Sequence, residues 1–327
     1  MNPDLSYVSV VEPVSPAVER VKTVLFRPFD LGKWCVIGFS AWLAQLGSGG
    51  GGGNSGGGGR AGGRYRGDVP GEIREGYYEA KDFVLSNLEW LIPLAAVVFL
   101  IVVAVWLLLL WLSSRGRFSF LYCVAQNKGE FWNPWRTYRR HGSSLFAFRV
   151  VLGILAFLIV GIFLAMTGAL VALSINTFGF GPYTILGIVM SGFLLVASAI
   201  VFAVIGVFTT DFAVPIMYLR DITCRQAWGV LVGMIAANMG RFVLYVLFKI
   251  VLGLVIVMLI VATVCLTCCI AGCIYIIPYV GSVVLLPLSV FGRSYSLYYL
   301  AQYGPDFNVF PPEPAPEAVP PAAGMQI

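Results

Sequence analysis

The sequence predicts an all-α polytopic membrane helix bundle, with six transmembrane helices as three repeated hairpins and interfacial amphipathic helices. Three observations predict it. The first is composition. Of the 327 residues, 59% are hydrophobic and 11% charged, whereas a soluble domain carries about 25% charged residues. So few charges could not cover a water-facing surface. The second is the run Trp90–Leu112, which contains no charge. At about 1.5 Å per residue it crosses a hydrocarbon core roughly 30 Å thick. Trp90 and Trp111 mark its ends, where indole rings favour the membrane interfaces. The third is an internal repeat, set out below.

Residues 1–15 are expected to form a disordered tail, and residues 16–303 a six-helix membrane domain. No basic segment followed by an apolar core begins the chain, so no cleaved signal peptide is expected. Ser15 and Pro16 offer an N-cap and a proline at the first helical position. Val18, Val21 and Leu25 share a face of the short amphipathic helix that follows, which suits an interface. Leu31–Leu46 is the first span; Lys33 can reach back to the headgroups. The Gly-rich outer loop 47–67 reads as a flexible linker. A phosphate-cradling loop would need a strand before it, a helix after it and a GK[ST] ending, and it has none of these. Between Pro70 and Trp90, Ile73, Tyr77, Ala80 and Val84 have helical spacing with acids interleaved, so an acidic amphipathic helix feeds the second span.

After Leu112 that helix is expected to continue through SSRGRFSFLYCVAQNK. The basic, aromatic segment NPWRTYRRHG then suits an anionic leaflet. The third span covers about 145–175 and the fourth about 184–209. A polar-edged helix covers about 222–238 and the fifth span about 242–264. The cysteine cluster and IIPYVG form a turn or broken helix. The sixth span covers about 282–300, and the proline-rich segment 304–327 is expected to be disordered. Most Lys and Arg outside the spans fall on the side of the N-terminus. The positive-inside rule then puts both termini in the cytoplasm. Arg149 and Lys249 sit a few residues into their spans, within snorkelling reach of that side.

Gly116-Arg117-x-x-x-Leu121-Tyr122-x-x-Ala125-Gln126 recurs as Gly292-Arg293-x-x-x-Leu297-Tyr298-x-x-Ala301-Gln302. Phe148-Arg149-x-Val151-Leu152-Gly153 recurs as Phe248-Lys249-x-Val251-Leu252-Gly253, and Lys33 with Val36-Ile37-Gly38 is a looser copy. A repeated unit of interfacial helix, span, outer turn and returning span explains both echoes. All copies run in the same direction, unlike the inverted repeats of many transporters.

Asp211 is an acid closely flanked by apolar sequence, and ionisable groups at membrane depth tend to be paired or functional. It reads either as a proton or ion site or, structurally, as an ion-pair partner of Arg117 or Arg293 or a group solvated at the helix end; the structural readings are favoured. Trp135, Arg139 and Arg140, with Trp132 and Arg136, could bind lipid headgroups or form an ordinary basic interface loop. Cys265, Cys268, Cys269 and Cys273 share a helical face but fit no standard ligand spacing. Close helix packing explains them better than a metal. Pro215, Pro278 and Pro287 interrupt or end helices. The chain holds one histidine, His141, which weakens metal and general-base readings. No cofactor, metal or nucleic-acid partner is expected.

The LFRPF-x-LGKW opening, the TDFAVPIMYLRD stretch and the IPYVG…GRSYSLYYLAQYGP end resemble a group of bacterial six-helix membrane proteins of uncharacterised role. These are broadly similar to the membrane domain fused to some glycerophosphoryl diester phosphodiesterases. The resemblance spans roughly residues 16–304 and implies the fold and a bacterial inner-membrane location. It implies no hydrolase activity, because the fused enzymes carry paired His and acidic residues in a catalytic barrel that is absent here. The sequence therefore leads to a non-enzymatic membrane protein that organises lipid or a partner. A transporter or channel for a small solute is the alternative.

Overall fold

The computed structural model describes residues 8–46, 86–173, 182–267 and 270–310. The Gly-rich tract, the acidic stretch before residue 86, residues 174–181, Cys268, Cys269 and residues 311–327 lie outside the described residues. Within them every regular element is helical: α1 Val14–Leu25, α2 Leu31–Gln45, α3 Leu88–Gln126, α4 Trp132–Thr137, α5 Arg139–Leu173 and α6 Pro182–Phe208. A π-helical turn, Thr209–Ala213, joins α6 to α7, Val214–Arg220. Then come α8 Cys224–Ala237, α9 Met239–Leu266, α10 Ile270–Ile276, α11 Pro278–Val284 and α12 Leu286–Ala301. A 3₁₀ turn, Pro305–Phe307, follows.

Among the described residues, four helical stretches are long and apolar enough to cross a membrane: Glu89–Gln126, Arg139–Leu170, Ile185–Arg220 and Met239–Leu266. The stretch expected as a first span, α2, is 15 residues long. The stretch expected as a sixth is broken, with α11 ending at Val284 and α12 restarting at Leu286. Pro287 explains the restart, because it has no N–H to extend α11 and suits the first turn of α12.

The long helices have two different halves. Along α3, the apolar side chains of Leu94, Phe99, Leu100 and Val105 are exposed, and so are Leu155 and Phe157 of α5, Phe193 of α6 and Leu254 and Met258 of α9. Apolar surface all round a helix suits hydrocarbon rather than water. The other half of each helix enters a packed core with α1, α7, α8 and α12. Leu121, Phe212, Ile216, Leu231, Tyr245 and Leu297 are fully or almost fully buried there. α2 lies along α3, α3 along α5, and α5 along α6. Gly116 permits the first of these contacts. A Cβ there would come within 2.7 Å of the Leu43 Cβ and 2.8 Å of the Ala44 nitrogen.

Three local expectations change. α1 begins at Val14 with Pro13 as N-cap residue and no side-chain cap, so Ser15 lies inside the helix. Residues 8–13, expected to belong to the tail, are fixed: the Ser9 N–H donates to Gln302 Oε1 at 2.8 Å, and Tyr295 Oη donates to the Val10 carbonyl at 3.0 Å. Residues 305–310, expected to open the other tail, also pack, with Val309 buried. The described N- and C-terminal ends thus sit together at the packed end. Side chains with long-range partners explain this order; composition alone does not display them.

Candidate functional site

A polar cluster forms inside the packed end, where the π turn meets α3, α9 and α12. Its backbone geometry follows from Pro215. The Val214 N–H donates to the Thr209 carbonyl, the wide register of a π turn. In that register the Thr210 carbonyl would receive the N–H of residue 215, and proline has none. Arg293 fills the gap, its Nη1 donating to the Thr210 carbonyl. Arg117 Nη1 donates to the Thr210 hydroxyl at 2.6 Å, and that hydroxyl donates to the Gly206 carbonyl at 2.9 Å.

Asp211 is buried beside this meeting point. Its carboxylate accepts from Tyr245 Oη at 2.9 Å and is paired with Lys249. This corrects the expected pairing with Arg117 or Arg293: both arginines reach Thr210 instead. Lys249 also does not simply snorkel outward, because an internal carboxylate competes with water for its ammonium. Arg149 likewise turns inward, donating through Nη1 to Ser113 Oγ at 3.1 Å and to Ser114 Oγ at 3.3 Å. Lys33 bonds Asn127 Oδ1 at 2.7 Å. The charged neighbours of Arg117 are Arg149, Arg293 and Asp211. The Tyr245 ring that donates to the carboxylate is itself packed in an aromatic cluster: it lies 4.8 Å from Phe212, 4.6 Å from Tyr299 and 5.8 Å from Tyr295, measured between ring centres.

Sequence reading found Asp211, Arg117 and Arg293 but missed Thr210 and Tyr245. Thr210 stands next to Asp211 in an apolar run, which was the available signal. Tyr245 lies four residues before Lys249, on the same helical face. A capping box, Thr223 with Gln226, also went unread although its T-x-x-Q spacing was visible; it starts α8.

The other expected site residues occupy a different place. Trp135 is half-buried on α4, 5.2 Å from Phe131 and 6.2 Å edge-on from Trp111. The Arg115 guanidinium lies 4.3 Å over Trp111 and 5.5 Å from the Trp135 ring centre. Arg139 and Arg140 are exposed. An open apolar groove of about 570 Å³ runs between α2 and α4, lined by Cys35, Phe39, Trp42, Phe131, Trp132 and Trp135 among others. His141 Nε2 pairs with Asp221 Oδ1 at 2.9 Å. Among the described residues no three His, Cys, Asp or Glu side chains gather as a metal site. Cys265 is exposed.

A family model described as a family of unknown function (DUF7544) matches residues 8–278. No curated protein and no solved structure matches the chain.

Proposed function

The chain belongs to that family of unknown function, and for it we propose the role of a non-enzymatic, six-span membrane protein that organises anionic lipid. The observation that carries this reading is the groove between α2 and α4. Its walls are aromatic and aliphatic, which suits an acyl chain, and indole rings favour the headgroup level. Arg115 is stacked on Trp111, and the exposed Arg136, Arg139 and Arg140 follow on the next turns. A lipid with its tail in the groove would meet cationic groups near its phosphate.

Six spans require α2 and the broken α10–α12 segment to complete the layer formed by the four long helices. Packing of α2 against both α3 and α11 supports this. Convergence of Arg117 and Arg293 on one residue supports the repeat, since equivalent positions belong at equal depth. The two described chain ends lie together, which fits termini on one side; the basic balance favours the cytoplasm. Asp211 is buried and already engaged by Tyr245 and Lys249, which favours lipid organisation over solute transport.

Native mass spectrometry of the purified chain tests the proposal. Anionic phospholipid should be retained in preference to zwitterionic lipid, with the Trp42→Ala/Trp135→Ala variant binding about a hundredfold more weakly, because each aromatic covered by the lipid contributes on the order of 1.5 kcal/mol. Equal retention by both proteins, or no lipid preference, rejects it.

A further inference from the structure

We propose that Arg117 and Arg293, both anchored on Thr210, form an internal site for a phosphate-type oxyanion, either inorganic phosphate or the phosphate of a lipid. Both arginines are more than nine-tenths buried, 9% and 7% exposed. Each spends one Nη1 on Thr210. Among the described residues, Nε of Arg117 and both Nε and Nη2 of Arg293 have no hydrogen-bond partner and are sealed from solvent. The acid beside the two guanidiniums is Asp211. Its carboxylate is already engaged by Lys249 and Tyr245. Among the described residues two buried positive charges thus lack a matching negative one.

Burying an ionised group is strongly unfavourable unless it is paired and hydrogen-bonded. A water molecule could accept the spare N–H bonds but would leave the charge unmatched. An oxyanion does both. The guanidinium fork matches two oxygens of a tetrahedral phosphate, and Thr210 holds one Nη1 of each arginine, which leaves the remaining N–H groups to bind. Lys249, one-third exposed at its side chain, lies on the edge of the cluster, four residues before Gly253 and among the exposed apolar residues Ile250, Val251 and Leu254. The site therefore adjoins the apolar surface as well as the packed end, so a lipid phosphate and a free one share the same chemistry. This site is separate from the α2–α4 groove and does not rest on the function proposed for it.

The test uses the full chain in a neutral detergent. Equilibrium dialysis with radiolabelled inorganic phosphate, at fixed ionic strength in chloride, reads the free-anion source. Native mass spectrometry with phosphatidic acid against diacylglycerol, which lacks the phosphate, reads the lipid source. One phosphate equivalent should bind per chain in at least one arm. Arg293→Lys keeps the charge but loses the fork, and should weaken binding about tenfold; Arg117→Gln/Arg293→Gln should weaken it about a hundredfold or more. If the double variant does not fold, Thr210→Val and Arg293→Lys carry the test, read against the melting temperature of each. Binding in neither arm, or binding of unchanged strength in folded Arg293→Lys and Thr210→Val, overturns the site. Trp42→Ala/Trp135→Ala should leave inorganic-phosphate binding unchanged, which separates failure here from failure of the groove.

Discussion

The carboxylate of Asp211 is held by Lys249, 38 positions along the chain, although two arginines bond the adjacent Thr210. The carboxylate gains one cation and one phenol, and the arginines keep their charge. Asp211→Asn preserves the shape and removes the charge, leaving three cations with no acid between them. Breaking a buried ion pair costs about 3–5 kcal/mol. Lys249 is one-third exposed, so water recovers part of this and a loss of about 2 kcal/mol is expected. Unfolding in detergent measures it. Asp211→Asn/Lys249→Met should be more stable than Asp211→Asn alone, because it removes the stranded ammonium. An Asn variant as stable as the parent contradicts the pairing.

Gly116 and Gly292 occupy the same position in the repeated motif but have opposite surroundings. The added Cβ at Gly116 would meet Leu43 and the Ala44 backbone within 3 Å, while nothing lies within 4 Å of one at Gly292. Gly116→Ala should therefore push α2 off α3 and destabilise by about 1–3 kcal/mol. Gly292→Ala should be neutral or stabilise by up to about 1 kcal/mol through helix propensity. Comparing the two unfolding curves in one detergent checks both signs.

These glycines mark where the sequence stopped being informative. Identical letters disclosed a repeat, yet the use of each letter depends on the helix that crosses it. The long helices were legible because unbroken apolar runs admit few other structures. The continuation of α3 past Leu112 was legible too, although the helix stops at Gln126, two residues short of the expected Lys128, where Asn127 takes a left-handed conformation. The partner of Asp211 was not legible, because four cations lie at compatible depths and only three-dimensional packing selects Lys249. The π turn was hidden for a similar reason. Pro215 announces a defect, but whether it becomes a kink, a break or a wide turn depends on what can take the orphaned Thr210 carbonyl. Arg293, far away in sequence, takes it.

Arg20 closes the end of α3. Its Nε and Nη2 donate to the Val124 carbonyl at 3.2 and 2.9 Å, and Nη2 also donates to Ala125 at 2.6 Å. Terminal carbonyls of a helix lack internal donors, and a cation there is favourable to the helix dipole. The same guanidinium lies 4.9 Å over the Phe310 ring, so it also ties down the segment after α12. Arg20→Lys should not substitute, since one ammonium cannot reach both carbonyls and the ring. A loss of about 1–2 kcal/mol is expected. Hydrogen exchange should become faster in residues 305–310 and at the end of α3 together. Faster exchange in one without the other would show that Arg20 does not couple them.

Cys35 and Cys224 should differ sharply toward a maleimide. Cys35 is exposed and lines the α2–α4 groove. Cys224 is buried at the start of α8, and burial pushes its thiol up to about 12. The thiolate is the reacting form. At pH 7.5 Cys35 should label and Cys224 should not, as read by peptide mass mapping. Raising the pH to 9 should leave Cys224 protected while the fold holds. The unfolded chain releases the Cys224 proton at the lower, ordinary value of about 9. This thiol's contribution to stability is therefore complete below that pH and declines as pH climbs from about 9 towards about 12. Phospholipid added before the reagent should slow Cys35 if an acyl chain lies over it, and should not change Cys224. Equal protection of both by lipid would locate the effect in the whole fold instead of the groove.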